Sequence, residues 1–145
     1  MNLSVSFTIP GEPIAFARSG GNGSVRFTPK RQRDFMSLVR LSAYQAMDGK
    51  PPLEGPLMMC VNATYLVPKS WSKAKAAQAN WRTSKPDVDN IAKIIADSMN
   101  EIVFVDDAQI ARLAVQKIYG TVAGVAVEVS ALEATQCSAA RPTKA

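Results

Sequence analysis

SKPDVDNIAKIIADSMNEIVFVDDAQI, residues 84 to 110, gathers five aspartates into one stretch of a chain whose net charge is +5. Pro86 biases Lys85 away from helix, so a helix can begin only after it. Asp87 or Asp89 is then a natural N-cap, where a carboxylate meets free backbone N–H groups and the positive end of the helix dipole. Ile91, Ile94, Ile95 and Ser98 share one helix face, and Asp89, Lys93 and Asp97, spaced by four, share another. The apolar face is expected to pack on a sheet. Ile102-Val103-Phe104-Val105 is expected to form a short strand that delivers Asp106 and Asp107 to its end.

Reading outward from this stretch, Leu3, Val5, Phe7 and Ile9 alternate with polar residues and predict a first strand ended by Pro10-Gly11. A glycine-rich loop carrying Arg18 follows and leads into Val25-Arg26-Phe27. It lacks the GxxxxGK[ST] pattern of a nucleotide loop. Thr28-Pro29 looks like a helix entry, and Phe35, Leu38, Val39, Ser42, Ala43 and Ala46 recur at helical spacing up to Met47. Lys30, Arg31, Arg33 and Arg40 lie off that stripe, and at least half of them read as a solvated face. Leu57 to Leu66 predicts a long strand with Leu57, Met59, Val61, Ala63 and Tyr65 on one side. Pro68 to Ser84 is a basic excursion with a short helix expected from Ser70-Trp71-Ser72-Lys73 to Ala79, presenting Lys73 and Lys75, and with Trp71 and Trp81 as its expected anchors. Ala111 to Tyr119 and Val122 to Leu132 favour strands. The sum is an α/β (α+β) chain, a small mixed sheet of about four or five strands with two main helices. Residues 1–132 are expected to form a single domain and residues 133–145 a frayed tail.

Composition bounds the chemistry. Residues 1–85 carry 12 Lys+Arg against 4 Asp+Glu, and residues 86–145 carry 5 against 8, so a basic half is joined to an acidic centre. A basic surface attracts polyanions, of which the phosphate backbone is the commonest. There are no histidines, which excludes imidazole ligands, His general bases and the triads that need them. Cys60 and Cys137 are far apart in unlike contexts and suggest neither zinc nor a disulfide framework. No apolar run approaches the roughly 20 residues that span a bilayer. The N-terminus lacks the apolar stretch of a signal peptide, so a cytoplasmic protein without membrane partners is expected.

Any metal must therefore be held by oxygens, which points to Mg²⁺ or Mn²⁺. Grouped carboxylates cost stability unless a cation lies between them. If the short strand lies beside the helix start, Asp87, Asp89 and Asp107 can converge as a hard-oxygen site, completed by waters or phosphate oxygens at about 2.0–2.1 Å. Such a metal lowers the pKa of bound water and neutralises charge on a phosphodiester. Lys93 would orient the attacking water or offset the extra charge, and Asp97 reads as its salt-bridging partner. Taken singly, Asp87 or Asp89 is a plain helix cap and Asp106-Asp107 a plain turn. An EF-hand would need a different residue at Ile91, Gly at Ala92 and Glu at Ser98, and so is excluded.

The run Lys85-Pro86-Asp87-Val88-Asp89-Asn90-Ile91-x-Lys93, then Asp97, Asn100 and Asp106-Asp107-Ala108-Gln109-Ile110, resembles the signature of the RusA Holliday-junction resolvases. The Pro-Gly strand end, the basic loop, the Thr-Pro helix entry and Pro68-Lys69-Ser70-Trp71-Ser72 have looser counterparts in that family. The resemblance implies a small α/β endonuclease, common in phages and prophages. Such an enzyme works as a homodimer and nicks four-way DNA junctions at symmetric positions with Mg²⁺ or Mn²⁺. By the same resemblance Asp87, Asp89 and Asp107 are the essential acidic residues and Lys93 the catalytic lysine. Asn90, Asp106 and Gln109 match motif positions without assigned roles. Arg18, Arg26, Lys30, Lys69, Lys73 and Lys85 are the expected DNA contacts. Two departures stand out: Glu101 occupies a position where glycine commonly follows the motif asparagine, and the first loop holds only Arg18 where many relatives are richer in basic residues. A catalytically silent DNA-binding protein of the same fold is the competing reading. A Mg²⁺-dependent hydrolase of small nucleotides is disfavoured, because no nucleotide-cradling loop is visible and the basic half is larger than a small substrate requires; no nucleotide cofactor is expected.

Overall fold

The computed structural model describes residues 3–14 and 30–133. Its elements in chain order are β1 (Ser4–Pro10), α1 (Lys30–Met47), β2 (Leu57–Leu66), α2 (Lys73–Ala77), α3 (Val88–Met99), β3 (Ile110–Gly120) and β4 (Gly124–Ala131), with a 3-10 turn at Asp107–Gln109 before β3. The four strands form one mixed sheet in the order β1-β4-β2-β3. β4 runs antiparallel to both of its neighbours, while β2 and β3 are parallel. Parallel strands need a long crossover. Here the crossover is the segment that carries α2 and α3, and it lays α3 against the sheet. Among the described residues no helix is long and apolar enough to cross a membrane. The glycine-rich loop, Arg18, Val25-Arg26-Phe27, the Thr28-Pro29 entry and the tail from residue 134 lie outside the described residues.

The register explains why alternation in the sequence is a reliable guide. Across the sheet, Val5, Val129, Met59 and Leu113 fall in one row, and Phe7, Val127, Val61 and Val115 in the next. These rows face the two main helices. Ile9, Leu57, Met59, Val61, Val125 and Val129 are almost completely buried there. α1 supplies Phe35, Val39, Ala43 and Met47, and α3 supplies Ile91, Ile94, Ile95 and Met99. Burying each of the larger of these side chains contributes roughly 1.5–3 kcal/mol. Leu38, at the margin of the α1 stripe, stays 36% exposed. The tight bond from Ser98 Oγ to the Ile94 carbonyl, 2.6 Å long, lets a buried hydroxyl sit on the apolar face of α3.

The segment Ile102–Val105 corrects one expectation, because it is a turn and not a strand. The N–H groups of Ile102 and Val103 both donate to the Met99 carbonyl, at 3.0 and 3.1 Å, and Glu101 N–H donates to the Phe104 carbonyl at 2.6 Å. Phe104 forms isolated bridges to Leu53 and Asn100, which do not extend into a ladder. Val103 and Phe104 are fully buried and plug the end of the core, whereas Val105 is 66% exposed. A run of four apolar residues without alternation fits a buried turn as well as a strand, and here local bonds satisfy the backbone first.

Glu101 makes that turn with φ of 67°, the left-handed region that favours glycine. The departure noted in the sequence is thus a strained backbone position. Glu101→Gly is expected to stabilise the fold by about 0.5–1 kcal/mol, since relief of left-handed strain exceeds the entropy cost of glycine. Urea denaturation of the two proteins checks this; an unchanged or lower midpoint would refute it.

Candidate active site

Asp87 is the N-cap of α3, with extended backbone (φ −74°, ψ 151°), but its side chain makes no capping bond. Its carboxylate instead pairs with Lys85 Nζ at 3.2 Å. Two residues of the sheet and its flank hold this entry in place. Lys117 Nζ, from β3, donates to the carbonyls of Ser84 and Pro86, each at 2.8 Å. Arg82 donates through Nε and Nη2 to the Lys85 carbonyl at 3.1 and 2.6 Å. The Arg82 guanidinium also lies 4.2 Å from the Tyr65 ring centre. Burial pushes the Tyr65 hydroxyl up to about 12, partly offset by Arg82.

One turn later the polar edge of α3 meets the start of β3. Asp89 and Lys93 line one wall of a cleft of about 350 Å³, Asp107 and Arg112 contribute to the other, and Ala92 and Ala96 keep the space between them open. Arg112 gives no sequence signal, because an isolated arginine in a strand reads as surface. Its place follows from a bulge: Leu57 pairs with Ile110 and Met58 with Arg112, which leaves Ala111 as the extra residue beside the cleft. The Lys93 ammonium pairs with Asp97 at 3.2 Å, as the spacing of four predicts.

Asp107 is positioned by its backbone. Its N–H donates to Asn100 Oδ1 at 2.9 Å. Asp106 caps the 3-10 turn, accepting from Ala108 N–H at 3.0 Å, and Gln109 completes a reciprocal capping box. Gln109 Oε1 accepts from the N–H groups of Val105 and Asp106, and its Nε2 donates to the carbonyls of Leu53 and Gly55. The unassigned motif positions Asp106 and Gln109 are therefore the frame that presents Asp107. Asn90 is half-buried in the first turn of α3.

The electrostatics are those of crowded carboxylates. A hydrogen bond that protonated Asp107 donates to the Asp106 carboxylate, burial, and the nearby Asp97 together push Asp107 up to about 6. Asp106 moves down, held by the Ala108 N–H and then by Asp107. Asp97 thus serves two neighbours, Lys93 and Asp107, where the spacing predicts one. Among the described residues no three acidic side chains converge as a ligand set. Asp89 and Asp107 share the cleft, while Asp87 lies outside its lining. The donors nonetheless suit a hard divalent cation: they are all carboxylate oxygens, and Mg²⁺ is commonly held by one or two carboxylates together with substrate phosphates. Negative charge already in excess at Asp107 is what such a cation relieves.

The basic residues expected to meet DNA fall in different places. Lys69, Lys73 and Lys85 are exposed on the crossover segment. Lys30 begins α1 and pairs with Asp34 at 2.9 Å. Arg18 and Arg26 lie outside the described residues. Trp71 is an anchor, packed edge-on against Tyr119 with ring centres 5.2 Å apart. Trp81 departs from its expected anchoring role, because its side chain is largely in solvent at 63% exposure.

The family model for endodeoxyribonuclease RusA matches residues 10–130, from the end of β1 through nearly all of β4, and takes in the whole cleft. The chain is also 37% identical over 125 residues to YqaN, an uncharacterized protein of Bacillus subtilis (strain 168), covering 79% of this chain and 87% of that one. The match extends well beyond the acidic motif, and the chain belongs to the RusA endodeoxyribonuclease family.

Proposed function

We propose that the protein is a divalent-metal-dependent endonuclease that resolves four-way DNA junctions by paired nicks, acting as a homodimer. The observation that carries this reading is the cleft in which Asp89, Lys93 and Asp107 meet, in a chain of the RusA endodeoxyribonuclease family. Asp89 and Asp107 would hold Mg²⁺ or Mn²⁺, with Asp87 as a third donor when Lys85 turns to a phosphate. The bound ion would supply a nucleophile at neutral pH and offset charge on the phosphodiester. Lys93, steadied by Asp97, presents its ammonium to the same cleft and stabilises negative charge developing on the phosphate. Lys69, Lys73 and Lys85 bring the backbone to the cleft by contacts that position without reading sequence. A four-way junction offers two equivalent strands, and a twofold protein offers two equivalent sites.

The test pairs a synthetic four-way junction with a linear duplex, each with Mg²⁺, with Mn²⁺ and with chelator. Paired nicks confined to the junction and lost in chelator are expected. Asp89→Asn should retain junction binding while cleavage falls on the order of 10³-fold. Binding without cleavage in either metal would favour the silent DNA-binding alternative. Cleavage by Asp89→Asn at the wild-type rate would remove Asp89 from the site.

A further inference from the structure

The crossover segment contains two tryptophans with opposite fates. Trp71 is consumed in packing: its ring meets Tyr119, and Lys75 Nζ sits 4.2 Å from its centre. Trp81 is 63% exposed, yet the backbone on both sides of it is hydrogen-bonded to β3. Tyr119 N–H donates to the Asn80 carbonyl at 2.9 Å, and Arg82 N–H to the Lys117 carbonyl at 3.0 Å, so Trp81 bridges Ile118 like a short extra strand on the β3 edge. Successive residues in extended backbone face opposite ways. Arg82 turns inward over the Tyr65 ring, and Trp81 is left facing out.

Single exposed apolar residues are ordinary on protein surfaces. This one differs in its support and its surroundings. An indole on rigid backbone offers a flat stacking surface with little further ordering cost. Residues 68–85, the segment that carries it, hold five Lys+Arg and no Asp or Glu, a charge that suits a polyanion. Aromatic faces combined with nearby cations are how proteins hold unpaired bases.

We infer that Trp81 is a base-stacking platform, taking an unpaired or splayed base of the DNA substrate while Lys69, Lys73 and Lys85 hold the adjoining phosphates. This deepens the junction-nuclease reading and rests on it only for the source of the base, the crossover point of the junction. Trp81 would then help select branched over linear DNA, whereas the cleft performs the cleavage.

The test measures binding by Asp89→Asn protein, to prevent cutting, with and without Trp81→Ala and Trp81→Phe. The probes are a four-way junction, a duplex with a single-stranded flap, and a fully paired duplex. Trp81→Ala is expected to weaken binding to the junction and the flap about 10-fold, with Trp81→Phe close to the parent, and to leave the paired duplex unchanged. Quenching of Trp81 fluorescence in a Trp71→Phe background should accompany flap binding. Equal weakening on all three probes, or on none, overturns the inference. So does a change in sedimentation of the DNA-free protein, which would make Trp81 a protein contact. Flap dependence on Trp81 in a protein whose wild type cuts no junction would uphold the platform and refute the resolvase reading.

Discussion

Asp107→Asn is expected to abolish junction cleavage and, without metal, to leave the protein more stable than its parent at pH 8. The two effects share one cause. Asp107 is pushed up to about 6 because Asp106, burial and Asp97 all disfavour its charge. An acid whose folded pKa lies above its unfolded value weakens the fold once it ionises. The penalty is full above about pH 6, shrinks as pH falls through that value, and vanishes below the ordinary carboxylate range. Asparagine removes the penalty and keeps the shape. The site is open to water, so screening discounts the gain to about 1 kcal/mol, or roughly 2–4 °C in melting temperature. If Asp107 holds the metal as proposed, the loss of cleavage should be on the order of 10³-fold, because a neutral amide is a far weaker ligand than a carboxylate. Mg²⁺ should raise the melting temperature of the parent at pH 8 and not that of Asp107→Asn. Thermal melts at pH 5 and pH 8, with and without Mg²⁺, separate these terms. A variant that is destabilised at pH 8, or that still gains stability from Mg²⁺, would sink the assignment.

The parts of the molecule legible in the sequence are those governed by short-range rules. The alternations in β1, β2 and β4 and the isoleucine face of α3 each repeat a period that only one element can satisfy, and the core rows follow them. The Lys93–Asp97 pair is fixed by helix geometry. What the sequence hides depends on contacts between distant segments. Ile102–Val105 has strand composition, but bonds to the Met99 carbonyl and from Leu53 N–H to the Val103 carbonyl make it a turn. Lys117 holds the carbonyls before α3 from a strand some thirty residues away, and Arg112 reaches the cleft because of a bulge at Ala111. Neither leaves a periodic trace. Trp81 is hidden for a related reason: an aromatic in a basic segment looks like an anchor until the pairing of its neighbours shows which way it faces.

Gln109→Ala should be the most damaging substitution among the polar side chains that frame Asp107. Its side chain accepts from Val105 and Asp106 N–H at 3.0 and 3.2 Å and donates to the Leu53 and Gly55 carbonyls at 3.0 and 3.1 Å. One amide thereby ties the turn bearing Asp107 to the segment that precedes β2. At about 0.5–1.5 kcal/mol net per bond, with the exposed partners partly rescued by water, the loss is about 2–3 kcal/mol. That corresponds to a fall of roughly 5–10 °C in melting temperature. Gln109→Glu separates geometry from charge. It keeps an acceptor for both N–H groups, but it loses both donors and adds a third carboxylate beside Asp106 and Asp107. It should therefore be no better than alanine at pH 8 and recover part of its stability near pH 5, where protonation restores a donor. Below the melting point, cleavage by either variant should fall while duplex affinity stays at the parent level, because the lysines of the crossover segment lie on other elements. A Gln109→Ala protein that melts within a degree of its parent would show that the capping of Asp106 and the Asn100 bond to Asp107 N–H suffice to hold the turn.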